Sequence, residues 1–231
     1  MTDTFKALVA RSDTEQSVAY EDLTLADLGD GDVTVQVEYS TLNYKDGLAI
    51  TNAAPIVQKH PLILGIDFAG TVQDSSHAGF SAGDKVVLNG YGASEYLNGG
   101  YTQTARVSGD LLVKLPDAFS TRQAMAIGTA GYTAMLCVLA LEEGGVTPDS
   151  GDVLVTGAAG GVGSVALSLL KTLGYRAVAS TGRAQETDFL KGLGQHRRIH
   201  GSGTERIDVD PVGRQFRCQD LCHAHNTVFG A

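Results

Sequence analysis

The stretch Val153–Gly182, VLVTGAAGGVGSVALSLLKTLGYRAVASTG, decides how this chain folds. A short apolar run, Val153-Leu154-Val155, enters a glycine-rich turn, Gly157-Ala158-Ala159-Gly160-Gly161-Val162-Gly163. Apolar residues then recur at helical spacing from Val165 to Leu173, and a second apolar run spans Arg176 to Ser180. Strand, turn, helix and strand in that order make one βαβ unit with a glycine fingerprint at its first turn. Glycines let the backbone turn tightly and approach a pyrophosphate, while the helix N-terminus offers free N–H groups and a positive dipole end. A glycine triplet alone is a weak sign; its place between a strand and a helix gives it weight. Gly157, Ala158, Gly160, Gly161, Val162 and Gly163 are the expected pyrophosphate contacts.

The end of the second strand selects the dinucleotide. NAD-binding units place an acid there for the ribose 2′-hydroxyl, whereas an arginine nearby accommodates a 2′-phosphate. Here the residues are Ser180, Thr181, Gly182 and Arg183, with no acid until Glu186. Two hydroxyls, a glycine N–H and a guanidinium suit a phosphate. The sequence therefore points to NADPH over NADH.

Composition bounds the rest. The chain has 231 residues, 43% of them hydrophobic, and 29 glycines, which suits a turn-rich globular protein of one large or two modest domains. A net charge of −9 argues against nucleic acid or an anionic membrane as partner. Three cysteines, two of them close together near the C-terminus, make no disulfide framework, so a cytoplasmic, reducing setting is expected. The start, MTDTFKALVARSD, lacks the basic and apolar regions of a signal peptide. Met125 to Leu141 is apolar but interrupted by Gly128, Thr129, Gly131 and Thr133, and reads as a buried helix pair rather than a membrane span.

Residues 1 to about 115 read as mostly β. Strand candidates are Phe5 to Ala10, Val33 to Tyr39, Phe68 to Val72, Lys85 to Leu88 and Tyr101 to Val107, separated by glycine and aspartate turns. Val33, Val35, Val37 and Tyr39 alternate with polar residues, as a half-buried strand requires. Ser120 and Gln123 form a capping-box pattern that starts a helix. The fold class is α/β. The expected division is a β domain over 1–120, the first part of a Rossmann domain over 121–194, and a tail of different character over 195–231.

Several segments, in order, resemble the zinc-independent branch of the medium-chain dehydrogenase/reductase superfamily, in particular its acrylyl-CoA reductase and quinone-oxidoreductase-like group. They are Asn43-Tyr44-Lys45-Asp46, Pro61 to Gly70, Gly83 to Val86, Gly99-Gly100-Tyr101 with Arg106, Ile127 to Gly131, the Gly157–Gly163 turn, and Ser180 to Arg183. The resemblance covers residues 1 to 194. It implies a GroES-like catalytic domain joined to a Rossmann NADPH-binding domain, with the active site between them. It also implies Thr129, Ala130 and Gly131 near the nicotinamide, a small-molecule substrate, and the homo-oligomers common in the family.

The family's zinc enzymes carry a cysteine ligand near the Asn43 position and Gly-His-Glu near Gly65. This chain has Asn43-Tyr44-Lys45-Asp46 and Gly65-Ile66-Asp67, and a single cysteine, Cys137, before residue 195. Convergent zinc ligands are not supplied, so no metal is expected. His60 and His77 stand alone, and the Cys218, Cys222, His223, His225 spacing matches no standard zinc module.

Without a Lewis acid, hydride can still reach a C=C bond conjugated to a carbonyl, which takes up the developing charge. This favours reduction of an enoyl thioester, enone or quinone. Tyr44 is the candidate proton donor, Lys45 the candidate charge stabiliser, and Asn43 and Asp46 the candidates that orient substrate or neighbours. Against the enzyme stands a non-catalytic nucleotide-binding relative, which the same two domains would suit; the Asn43–Asp46 segment favours the enzyme.

Residues 195–231 break the pattern. They hold four of the six histidines and five arginines but no lysine, and show neither helical nor strand periodicity. The resemblance stops at Lys191-Gly192-Leu193-Gly194. This composition fits a frameshifted reading of the gene, which would leave an inactive, aggregation-prone product without further Rossmann strands. The nucleotide sequence around codon 194 tests this: no alternative frame continuing the Rossmann pattern would refute it.

Overall fold

The computed structural model of the chain describes residues 4–11, 17–182, 184–193 and 197–200. It divides into two compact units, Met1–Thr129 and Ala130–Ala231. The division falls at 129/130, inside a helix, rather than near residue 120 where the turn chemistry suggested it.

The first unit contains β1 (Phe5–Arg11), β2 (Ser17–Leu23), β3 (Val33–Tyr39), α1 (Tyr44–Thr51), β4 (Leu62–Ile63), β5 (Asp67–Ser75), β6 (Lys85–Asn89), β7 (Thr104–Val107), β8 (Val113–Lys114) and the start of α2 (Thr121–Glu143). An antiparallel five-stranded sheet runs in the order β7-β3-β5-β6-β8, and a second sheet in the order β2-β1-β4. The alternation in β3 holds only in part: Val33 and Val35 are fully buried, in one core with Phe68, Val72, Val86 and Leu88, but Thr34 between them is buried too. It fails at the end, where Tyr39 is 44% exposed. The β3–β5 register shifts between Val37 and Tyr39, and such a bulge turns later side chains off the core face.

Sequence periodicity missed β2, β4, β8 and α1, all short or of mixed polarity. The Ser120–Gln123 box forms as expected, with Gln123 Oε1 accepting from Ser120 N (2.9 Å) and Ser120 Oγ from Gln123 N (3.2 Å). It opens α2. That helix is long and apolar enough to cross a membrane by length and composition. Gly128, at φ +54°, breaks it into two arms, each shorter than a bilayer requires. The first arm buries Ala124 and Met125 against Ala69 of β5.

The second unit holds the rest of α2, then β9 (Asp152–Thr156), α3 (Gly161–Thr172), β10 (Arg176–Thr181), α4 (Thr187–Leu193) and β11 (Arg197–His200). Its sheet is parallel, in the order β11-β10-β9. This is the 3-2-1 order of half a doubly wound nucleotide-binding domain. Leu167 and Leu170 of α3, Leu190 of α4 and Val138 of α2 pack with Ala177 and Ala179 of β10. The strand β11 corrects the expectation that no strand follows residue 194. Its four residues are too few and too polar to register as a periodic run, but ladder pairing uses backbone groups and needs no apolar side chain. The remaining expectations for 201–231, including the cysteine and histidine spacing, lie outside the described residues.

Candidate functional site

Asp67, the first residue of β5, organises the first unit's site. It sits in the apolar run Ile63–Gly70 and is completely buried. Its carboxyl oxygens accept from Thr41 N (3.0 Å), Thr41 Oγ1 (2.5 Å), Asn43 Nδ2 (3.0 Å), Thr129 N (3.2 Å) and Thr129 Oγ1 (2.7 Å). Ser40 Oγ donates to the Asp67 carbonyl at 2.7 Å. Thr129 follows directly on the Gly128 break, and its hydroxyl also lies 3.3 Å from Asn89 Oδ1. A β carbon on Gly128 would stand 3.0 Å from Thr41 Cγ2, so glycine supplies both the positive φ and the close approach. One carboxylate thus ties residues 40–43 to residue 129.

The expected catalytic run, Asn43 to Asp46, splits into inward and outward residues. Asn43 is the N-cap of α1, and its side-chain amide is held by Asp67 and by Thr41 Oγ1 (3.1 Å). Asp46 is fully buried; its carboxyl accepts from Asn43 N (2.8 Å) and Ile66 N (3.0 Å). Burial pushes the Asp46 carboxyl above the usual range, against the hydrogen bonds from Asn43, Ile66 and Tyr101. Tyr101 donates its hydroxyl to the Thr41 carbonyl (2.8 Å), and burial, then the nearby Asp46 charge, pushes its phenol upward. Tyr44, by contrast, is 85% exposed. The Lys45 ammonium is paired with Glu95 rather than left open for a developing negative charge.

Asp46 has a testable pH signature. A carboxyl raised on folding favours the folded state below its unfolded pKa and loses that advantage as pH rises through the folded value. Relative to Asp46→Asn, the wild-type protein should therefore lose stability between about pH 4 and about pH 7. Urea unfolding of both proteins at the two pH values checks this; a constant or opposite difference would contradict it.

The second unit carries the glycine turn. Gly157 leaves β9 at φ +59°, and Gly160 N returns to Gly157 O at 2.8 Å. Ala158 is buried, with its N–H on the Ser180 carbonyl at 3.2 Å. Gly160 is the N-cap of α3 and provides no side-chain hydrogen bond, so the first-turn N–H groups of Gly161, Val162 and Gly163 have no cap. Gly163 is buried where the helix meets the turn: a β carbon there would stand 2.5 Å from Gly157 O and 2.8 Å from Ala158 Cα. A β carbon on Gly161 would stand 3.4 Å from that of Ala130, placing the Thr129–Gly131 segment's second residue beside the helix start. An uncapped helix N-terminus behind an exposed glycine turn fits a pyrophosphate.

At the end of β10, Ser180 is half-buried and Gly182 exposed, but Thr181 is buried and its hydroxyl lies 3.4 Å from Glu186 Oε2. Glu186, the first acid after the strand, therefore reaches back to the strand end. Arg183 lies outside the described residues. Among the described residues no group of three or more His, Cys, Asp or Glu side chains converges as metal ligands do.

Sequence reasoning gave no role to Ser40, Thr41, Asp67, Asn89, Glu95 or Tyr101. A signal existed for Asp67, since a lone carboxyl in an apolar run must find buried partners. Nothing in the sequence named those partners.

The profile of the alcohol dehydrogenase GroES-like domain matches residues 29–117. The chain is 55% identical over 193 residues to acrylyl-CoA reductase AcuI of Ruegeria pomeroyi, covering 82% of this chain and 58% of that protein. It superposes on the YhdH oxidoreductase of Salmonella enterica in complex with NADP with a TM-score of 0.85, at 46% identity, over 91% of this chain and 65% of that one. It superposes on Bacillus subtilis YhfP with NAD bound with a TM-score of 0.81, at 45% identity, over 86% of this chain and 60% of that one. The chain thus spans about three fifths of the length of these relatives. The chain combines a GroES-like unit with a unit of parallel strands in Rossmann order. The chain belongs to the medium-chain dehydrogenase/reductase superfamily, in its zinc-independent branch.

Proposed function

We propose that the protein is an NADPH-dependent reductase of a C=C bond conjugated to a thioester or ketone carbonyl, with acrylyl-CoA or a similar enoyl thioester as substrate. The observation that carries this reading is the exposed Gly157–Gly161 turn before the uncapped first turn of α3. Gly157, Ala158, Gly160, Gly161, Val162 and Gly163 would hold the pyrophosphate; Ser180 and Gly182, with Arg183, would take the 2′-phosphate. Thr181 contributes through Glu186 and the strand end rather than through a free hydroxyl. The relatives named above as an acrylyl-CoA reductase and as a complex with NADP support the substrate and cofactor class.

When bound, NADPH supplies hydride for the β carbon of the substrate. The substrate's own carbonyl would take up the developing charge, as a conjugated C=C bond allows. Asn43 and Asp46 act as positioning residues: they hold the start of α1 and, through Asp67, Thr129. Tyr44 is the solvent-exposed group of the run that can meet substrate. The reading places the protein in the cytoplasm, with a small-molecule partner and the family's homo-oligomeric habit.

Following NADPH consumption with acrylyl-CoA, crotonyl-CoA and a quinone panel tests the proposal. Turnover should be fastest with an enoyl-CoA. Turnover confined to quinones would move the assignment to the quinone reductases, the class named for B. subtilis YhfP. No consumption with any of them, in a preparation that binds NADPH, would favour a non-catalytic relative.

A further inference from the structure

The segment after β6 bends through three consecutive residues of positive φ: Gly90 (+80°), Tyr91 (+54°) and Gly92 (+85°). Glycine enters this region freely, but a bulky aromatic there is a genuine outlier, because its β carbon crowds the neighbouring peptide groups. A glycine at position 91 would make the same bend with less strain. Strain of this kind persists where the surrounding fold imposes it, and it gathers at functional sites.

The fold does impose it. Gly90 N donates to the Ile66 carbonyl (2.8 Å), one residue before Asp67, and Ala93 N donates to the Gly90 carbonyl (3.1 Å). Asn89, two residues before Tyr91, pairs in register with Asp67, and its Oδ1 lies 3.3 Å from Thr129 Oγ1. The bend is thus anchored at the Asp67 cluster that also holds Asn43 and Thr129. Glu95, further along the same segment, is paired with Lys45 of α1. Tyr91 remains 41% exposed.

Resting on the reading of the site as one for a conjugated enoyl thioester, we propose that Tyr91 is a substrate-positioning residue whose ring forms an aromatic wall against the planar C=C–C=O group. Stacking on a flat conjugated system uses the ring face, desolvates the bond to be reduced, and needs no charge. With that backbone, Tyr91 keeps part of its ring at the surface two residues after Asn89.

Three proteins test this: wild type, Tyr91→Gly and Tyr91→Phe. Tyr91→Gly should have an equal or higher Tm, because strain is relieved, while its KM for crotonyl-CoA rises about tenfold. Its KM for NADPH should stay within about twofold of wild type. Tyr91→Phe should keep the KM for crotonyl-CoA within about threefold, since the ring is retained. Calorimetric titration of crotonyl-CoA reads the same loss without turnover. If wild type binds crotonyl-CoA but does not oxidise NADPH, the reductase reading fails, and the binding arm still decides the role of Tyr91. Tyr91→Gly binding crotonyl-CoA within twofold of wild type would overturn the proposal. A lower Tm with both KM values raised together would overturn it too, by making Tyr91 a packing residue.

Discussion

Replacing Asp67 with alanine should destabilise the protein by about 3–5 kcal/mol, a large share of the total stability of a folded domain. The side chain is fully buried, and its oxygens are the acceptors for the peptide N–H groups of Thr41 and Thr129 and for the Asn43 amide. Alanine removes the acceptor these part-buried donors share, at about 1–3 kcal/mol for each hydrogen bond that is not replaced. The Thr129 hydroxyl is less costly, because Asn89 Oδ1 is already 3.3 Å away. Asp67→Asn keeps the shape but turns an NH2 group toward some of these donors, so it should recover only part of the loss. Urea midpoints at constant m-value measure both variants. A loss below about 1 kcal/mol for Asp67→Ala would mean that the cluster is not the anchor described above.

The second large effect falls on the nucleotide turn. Gly163→Ala should weaken NADPH and NADH alike by about a hundredfold, or roughly 2.7 kcal/mol. The added methyl would stand 2.5 Å from Gly157 O and 2.8 Å from Ala158 Cα, both backbone atoms with no side-chain freedom to yield. The first turn of α3 must then draw back from the glycine turn, carrying its uncapped N–H groups off the pyrophosphate. The pyrophosphate is common to both dinucleotides, which is why the loss should not discriminate. Fluorescence titration with each cofactor checks it. Affinities within about threefold of wild type, or a loss confined to NADPH, would contradict the assignment.

The parts of the fold that a sequence reading recovers are those where one physical rule acts locally. Val33 and Val35 mark a core-facing strand, and the Gly157–Gly163 turn declares itself because Gly157 takes a positive φ and Gly163 has no room for a β carbon. Tyr39 escapes the same rule because a register shift across β3 and β5 depends on the partner strand. The short helix α1 was hidden because its start is fixed by Asp46 folding back on Asn43, within a segment that reads equally well as a loop. The Asp67 cluster was invisible for a stronger reason. Thr129 is 62 residues from Asp67, and no local pattern encodes a bond between them. Glu186 shows the same limit at shorter range, since the turn after β10 brings it back to Thr181.

In the proposed reaction, hydride passes from NADPH to the β carbon of an enoyl thioester. The most direct measurement is reduction of acrylyl-CoA with NADPH deuterated at the transferable position, followed by mass and NMR analysis of the product. One deuterium is expected at the β carbon of propionyl-CoA, with a proton from solvent at the α carbon. Unlabelled propionyl-CoA, deuterium at the α carbon, or no product from a protein that binds both NADPH and acrylyl-CoA would contradict it.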